Sequence, residues 1–337
     1  MSGDSHNWFR VIIWGLILAV APWTATPNAT AEDRYANLPT EKYLGAAEIA
    51  ATVEHPKIFT EGPAADALGN LYFTNVAANQ ILKFTTADRK LTVVRENSNA
   101  ANGLAFDRTG KLLACEGGTE DRGRVTRIDL QSGESTVLAD RFQDKPLGAP
   151  NDLCLDAAGR IYFTSRSVNP NVANVNSVYR IDPDGKVSQI LAAPSIDMPN
   201  GIEVSADGKW LYLVESDGRA DRSRCIKRFE LHPDGTVGKG SVLINFYPGR
   251  SGDGLCLDSA GNLYIAAGLH KTRGSSETLD TKPGIHVFTP EGKLVGYVAT
   301  PEDTITNCAF AGPDRRTLFV TCNKYLLQIP ATIGGAK

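Results

Sequence analysis

SGDGLCLDSAGNLYIAAGLH, residues 251–270, holds two short apolar runs around an Asp/Gly-rich turn, and a carboxylate, Asp253, leads into the first run. Two strand-like runs of this length around a turn make a β-hairpin. The layout recurs with the lead residue changed. From Glu61 the chain reads EGPAADALGNLYFTN, from Asn102 NGLAFDRTGKLLACE, and from Asn151 NDLCLDAAGRIYFTS. From Asn200 it reads NGIEVSADGKWLYLVES, and from Thr306 TNCAFAGPDRRTLFVTC. The lead-to-lead spacings are 41, 49, 49, 53 and 53 residues. Further strand-like runs, RVTRIDL, SVYRIDP, CIKRFEL and GIHVFTP, lie between the hairpins. Four antiparallel strands per unit, six times over, predict an all-β chain folded as a six-bladed β-propeller. A solenoid is the structural rival, but four-stranded repeats of this size favour radial closure. After Cys322 only one clear strand, YLLQI, remains. The segment AAEIAATVEH, ahead of Glu61, is therefore expected to pair in the last blade and close the ring.

The chain of 337 residues is 42% apolar and 22% charged, enough to bury a large core. Its net charge is −3 and no Lys/Arg run exceeds two, which argues against a nucleic-acid partner. VIIWGLILAVAPW (Val11 to Trp23) follows Arg10, and Ala29-Thr30-Ala31 offers a small-residue cleavage site before Glu32. The run is shorter than the roughly 18–20 apolar residues that span a bilayer. Residues 1–31 are expected to be a secretory signal, with an N-terminal membrane anchor as the alternative. Residues 32–337 then form one propeller domain working outside the cytoplasm, periplasmic or secreted. A monomer is expected, with a dimer as the alternative. The six cysteines carry no C-x-x-C pair, so zinc-site and thioredoxin readings have no support. Cys154 and Cys256 fall mid-strand and read as small buried apolar residues. A Cys308–Cys322 bridge is an expectation drawn from their placement across the last hairpin.

In a propeller the first strand of each blade runs beside the central channel. The lead residues Glu61, Asn102, Asn151, Asn200, Asp253 and Thr306 then form a ring of oxygen-bearing side chains around one spot. Two carboxylates and several amides converging there repel one another and strand buried dipoles unless a cation sits between them. A divalent ion balances the −2 of Glu61 and Asp253. All-oxygen donors favour hard cations, Ca²⁺ first, with Mg²⁺, Mn²⁺ or Zn²⁺ as alternatives. The plainer alternative is that the leads are turn and strand-start residues only, since Asn-Gly and Asp-Gly are ordinary turn signals. Matched phase across the blades favours the ion. Asp152 stands at the second position, where the other repeats carry Gly or Asn, and an acid beside a bound ion can take a proton from water. Its alternative is a supporting group or an Asx-type turn. Asp253 is the more natural ligand, and a ligand carboxylate is a poorer base.

The motifs TEGPAAD around Glu61, APNDLCLD around Asn151, MPNGIEVSADGKWLYLVES around Asn200 and GDGLCLDSAGNLYIA around Asp253 carry a family likeness. From about Thr60 to Cys322 the chain resembles the gluconolactonase and regucalcin (senescence-marker-protein) family of six-bladed propellers, and more distantly the paraoxonases. The resemblance implies a calcium- or zinc-type ion held by Glu61, Asn200 and Asp253, with Asn151 as a fourth ligand. It also implies hydrolysis of a sugar lactone such as gluconolactone, or a related cyclic ester, with Asp152 or Asp253 transferring the proton. In the animal regucalcin branch an arginine two residues before the Asn151 position contacts the sugar; here that residue is Ala149. The second strand of each hairpin returns to the end of the lead residue. This nominates Asn75, Glu116, Arg166, Glu215, His270 and Asn323 as rim residues. Glu116, Arg166 and His270, with Asn102 and Asn151 from the ring, are the expected substrate contacts. The expected partner is a small-molecule lactone or ester. A non-catalytic, calcium-stabilised propeller that binds a sugar or protein is the competing function, and a strictosidine-synthase-like propeller with altered chemistry is a third.

Overall fold

The computed structural model describes residues 33–118, 122–167 and 176–336. The signal or anchor expected over residues 1–31 lies outside them. Six four-stranded antiparallel sheets form the blades of a β-propeller. Their inner strands are Thr60–Ala65, Ala101–Phe106, Ala149–Leu155, Pro199–Val204, Gly252–Leu257 and Ile305–Ala311. In blades one to five the chain steps outward strand by strand. Blade six takes three strands from the end of the chain and its outer strand, Glu48–Thr52, from the beginning, paired with Tyr325–Pro330. The ring is thus closed by the N-terminal strand. A small hairpin, Arg141–Phe142 with Lys145–Pro146, leads from blade two to blade three.

The first turn of four of the six hairpins repeats one device. Asp66, Asp107, Asp156 and Asp258 each accept the N–H of the residue two positions on, Leu68, Thr109, Ala158 and Ala260, at 2.8–2.9 Å. A glycine follows at φ near +80°, a conformation that L side chains rarely adopt. The D-x-x-G spacing therefore encodes the corner between first and second strands.

Apolar burial is arranged as a wheel, because each blade packs a face on its neighbour. Leu113, Cys115 and Val125 of blade two meet Leu153, Phe163 and Tyr179 of blade three. Val214 and Ile226 of blade four meet Leu255 and Ile265 of blade five. Phe73 and Phe84 of blade one meet Phe319 and Leu326 of blade six, so the seam between first and last blades is as apolar as the others. Such facing sheets bury their side chains between layers about 10 Å apart. The outermost strands are left largely exposed, as in Lys90–Arg95.

All six inner strands carry a β-bulge at the same height. The pairing register slips between Glu61 and Ala64, Ala101 and Leu104, Pro150 and Leu153, Pro199 and Ile202, Gly252 and Leu255, and Ile305 and Asn307. A bulge re-aims the side chain at its extra residue. Here it falls on the lead residues and those after them, where they reach the axis.

Candidate functional site

The bulges deliver two tiers of side chains to the axis. The lower tier comes from the second position of each repeat. Gly62, Gly103, Gly201 and Gly254 occupy four of these positions, while Asp152 and Asn307 occupy the other two. The two side chains meet: Asn307 Nδ2 donates to Asp152 Oδ2 at 3.1 Å. Their contact needs the glycines. A Cβ on Gly254 would lie 1.9 Å from Asn307 Cγ, and one on Gly103 would lie 2.5 Å from Asp152 Oδ1. The remaining Asp152 oxygen, Oδ1, accepts the Leu153 N–H at 2.9 Å.

Glu61, Asn151, Asn200 and Asp253 lie in the upper tier. Glu61 is 4% exposed, and it accepts a long hydrogen bond from the Gly62 N–H, at 3.3 Å. Burial pushes its carboxyl well above the usual range. The charges of Asp253 and Asp152 add to that rise, and Arg166 opposes it. Asp253 is engaged on both oxygens. Oδ1 accepts from Asn200 Nδ2, and Oδ2 accepts from Arg250 Nη2 at 2.8 Å. Asn200 Nδ2 also reaches Ser216 Oγ at 3.2 Å. Asp152 is pushed up to about 7, by burial first, with Asp253 adding to the rise. Three carboxylates thus share one small volume in which a single arginine is bonded to one of them. Among the described residues no three His, Cys, Asp or Glu side chains converge closely enough to hold a metal by themselves. Any cation here must draw on the asparagine oxygens as well.

Thr306 differs from the ring role expected of it. Its hydroxyl donates to Thr60 O at 2.7 Å and contacts Thr321 Oγ1 at 2.7 Å. It therefore ties blade six to blade one. Second-strand threonines do the same between other blades: Thr74 donates to Asn102 O and Thr164 to Asn200 O. Asn307, which the repeat alignment passed over, is the residue that blade six sends to the axis. Its signal was present, since it and Asp152 are the two second positions that are not glycine. Arg250 had no periodic signal at all. Its guanidinium also donates to Gly268 O and Ile305 O, so it sits across the junction of blades five and six.

The rim residues separate into two kinds. Asn75, Glu116 and Glu215 are buried and brace their own blades. Glu116 accepts from Arg124 Nε at 2.6 Å and Thr126 Oγ1 at 2.8 Å. Glu215 accepts from Lys227 Nζ at 2.9 Å and from the Met198 N–H at 2.7 Å. Asn75 is bonded to the backbone of Lys57 and Phe59. Arg166 and His270 stay at the surface end. Among the described residues no hydrogen bond or ion pair ties the Arg166 guanidinium, and Arg166 pairs in register with Ala149. His270 is exposed and its Nε2 contacts Thr300 O at 2.9 Å. A depression beside the mouth is lined by Met198, Asp217, Arg219 and Ser276. Its loops hang on Arg224, which is 1% exposed and donates to six acceptors on Asp217, Gly218, Arg219, Pro248 and Ser276.

A family model, the SMP-30/gluconolactonase/LRE-like region, matches residues 59–324. The chain belongs to this family. The match covers all six inner strands and every axial residue described above. Among relatives of this SMP-30/gluconolactonase chain, the gluconolactonase of Zymomonas mobilis is 27% identical over 301 residues, covering 80% of this chain and 78% of its own. The pentonolactonase of Haloferax volcanii is 27% identical over 257 residues, covering 74% and 76%. The solved gluconolactonase of Xanthomonas campestris superimposes with a TM-score of 0.68 at 26% identity, covering 86% of this chain and 98% of that one.

The expected Cys308–Cys322 bridge is absent, and all six cysteines are free. In the hairpin register Cys308 stands opposite Val320, and Cys322 stands opposite Ile305. The two sulfurs are therefore displaced along the strands.

Proposed function

We propose that this protein hydrolyses a sugar lactone or related cyclic ester at the axial mouth of its propeller, using a divalent cation held by Glu61, Asn151, Asn200 and Asp253. The carrying observation is the convergence of Glu61, Asp152 and Asp253, with cationic charge from the described residues bonded to only one of them. Like charges this close favour protonation unless a cation enters. The donor set fits such an ion. It is all oxygen, with two carboxylates and two amides, which favours calcium over magnesium, manganese or zinc. Both Asn200 Nδ2 contacts are donations, which leaves Oδ1 as its ligand atom. Each Asp253 oxygen keeps a lone pair beyond its hydrogen bond. Bound there, the ion would polarise the lactone carbonyl and stabilise negative charge developing on its oxygen.

The proton falls to Asp152. Asp253 is given to the ion and to Arg250, whereas the Asp152 carboxyl is outside the proposed ligand set and is held in place by Asn307 and Leu153. A carboxylate placed there can take a proton from attacking water and return it to the leaving alkoxide. Arg166, brought opposite Ala149 by the strand pairing, supplies a guanidinium for the sugar hydroxyls from the neighbouring strand. Asn102 and His270 complete the substrate contacts of this proposal. The named lactonases among the relatives support the substrate class.

The test combines ion content with turnover on a panel of aldonolactones. Asp152→Asn should lower kcat by roughly 10²–10⁴ while the ion stays bound. Asp253→Asn should lose the ion. An ion-loaded protein inert across the panel would instead make this a binding propeller.

A further inference from the structure

We propose that Cys256 and Cys308 join in a disulfide between blades five and six when the chain folds in contact with a disulfide oxidant. Their sulfurs are 3.5 Å apart, already in contact, on neighbouring inner strands. Cys308 is held in place on two sides. Its N–H donates to Asn307 Oδ1 at 2.8 Å, and its thiol lies 3.3 Å from Tyr264 O. Closing to a bonded distance of about 2 Å asks for a shift shared between two side chains.

Both thiols line an axial cavity of 630 Å³ below the Asp152–Asn307 contact, on the side away from the proposed lactone mouth. The C-terminal tail runs along one side of that cavity, where Ala336 lines it. Ser259 N–H donates to Gly334 O at 2.8 Å, and Ala336 N–H donates to Leu257 O at 3.0 Å. Burial pushes the Cys256 thiol well above the usual range, so the thiolate is scarce once the ring has closed. The exchange therefore belongs to folding. One thiolate attacks a sulfur of the oxidant disulfide and releases its first thiol. The second attacks the resulting mixed disulfide and releases the other. Two electrons and two protons end on the two released thiols, and the Cys256–Cys308 bond remains. Once enclosed, it is shielded from reductants. It would staple the penultimate blade to the blade in which the chain ends meet.

Wild-type protein is unfolded, refolded in a mixture of reduced and oxidised glutathione, alkylated in denaturant and digested without reduction. Mass spectrometry should find four of the six cysteines alkylated and one linked pair of peptides, bearing Cys256 and Cys308. Tm should exceed that of protein refolded under reductant by roughly 5 °C. Cys308→Ala should lose the linked pair and the Tm difference together. Six alkylated cysteines, or a link between any other two, would overturn the proposal. The decisive reading is made on the wild-type chain, so a variant that fails to fold does not obscure it.

Discussion

Replacing Asp152 by Asn in the metal-free protein should change how stability depends on pH. Asp152 has a folded pKa of about 7 against an ordinary 3.8. A carboxyl raised in the folded state favours the protonated form there. Its contribution to stability is fully present below the unfolded pKa and is lost as pH rises through the folded one. Between pH 5 and about pH 7 the folded protein holds a proton that the unfolded chain has already released, so each rise in pH favours unfolding until both states are ionised. Integrating the difference in bound protons gives a loss of about 2–3 kcal/mol over that interval. Asn cannot ionise, so Asp152→Asn should gain that amount relative to wild type on passing from pH 5 to pH 9. Glu61 is raised as well, and so is Glu203, which lines the axial cavity with Asp152 and is pushed up to about 8 by burial, with the Asp152 charge adding to it. Removing the Asp152 charge eases both, which moves the difference in the same direction. The assay is urea unfolding at each pH in the presence of a chelator. Curves for wild type and Asp152→Asn that stay parallel from pH 5 to pH 9 would refute the picture of a carboxyl pressed against other acids at the axis.

Three further outcomes test the rest of the site. Calcium at about a hundred times its dissociation constant should stabilise the wild type by about 2.7 kcal/mol, read by thermal unfolding, and Glu61→Gln should abolish the effect. Gly254→Ala forces a Cβ to within 1.9 Å of Asn307 Cγ and should cost about 1–3 kcal/mol in urea unfolding, with Asn307→Gly restoring part of the loss. Arg224→Met leaves its buried acceptors without a donor and should cost about 3–5 kcal/mol, with faster proteolysis of the loops at 217–219 and 274–276.

The fold was legible because a propeller repeats its instructions. A D-x-x-G corner, a polar lead and an apolar run recur often enough that their phase can be read along one chain. Even ring closure could be anticipated, since a last blade short of one strand must take it from elsewhere, and Glu48–Thr52 fills that place. The acids of the site, Glu61, Asp152 and Asp253, stood out for the same reason: each occupies a repeat position and differs from most of its counterparts.

What the repeat could not show is everything that depends on which side chains face each other across the axis. Thr306 and Asn307 are adjacent in the chain, and the bulge decides that the first bonds to a neighbouring backbone while the second reaches Asp152, more than 150 positions away. Glu116 looked like a rim acid until the third strand supplied Arg124 and Thr126 to hold it. Cys308 finds its sulfur neighbour in the adjacent blade and not in its own hairpin. Local sequence dictates strands, corners and the height of each residue in its blade, because those follow from short-range sterics and hydrogen bonding. Partnership at the centre is set by the closing of six blades into one ring, and only the assembled structure contains those distances.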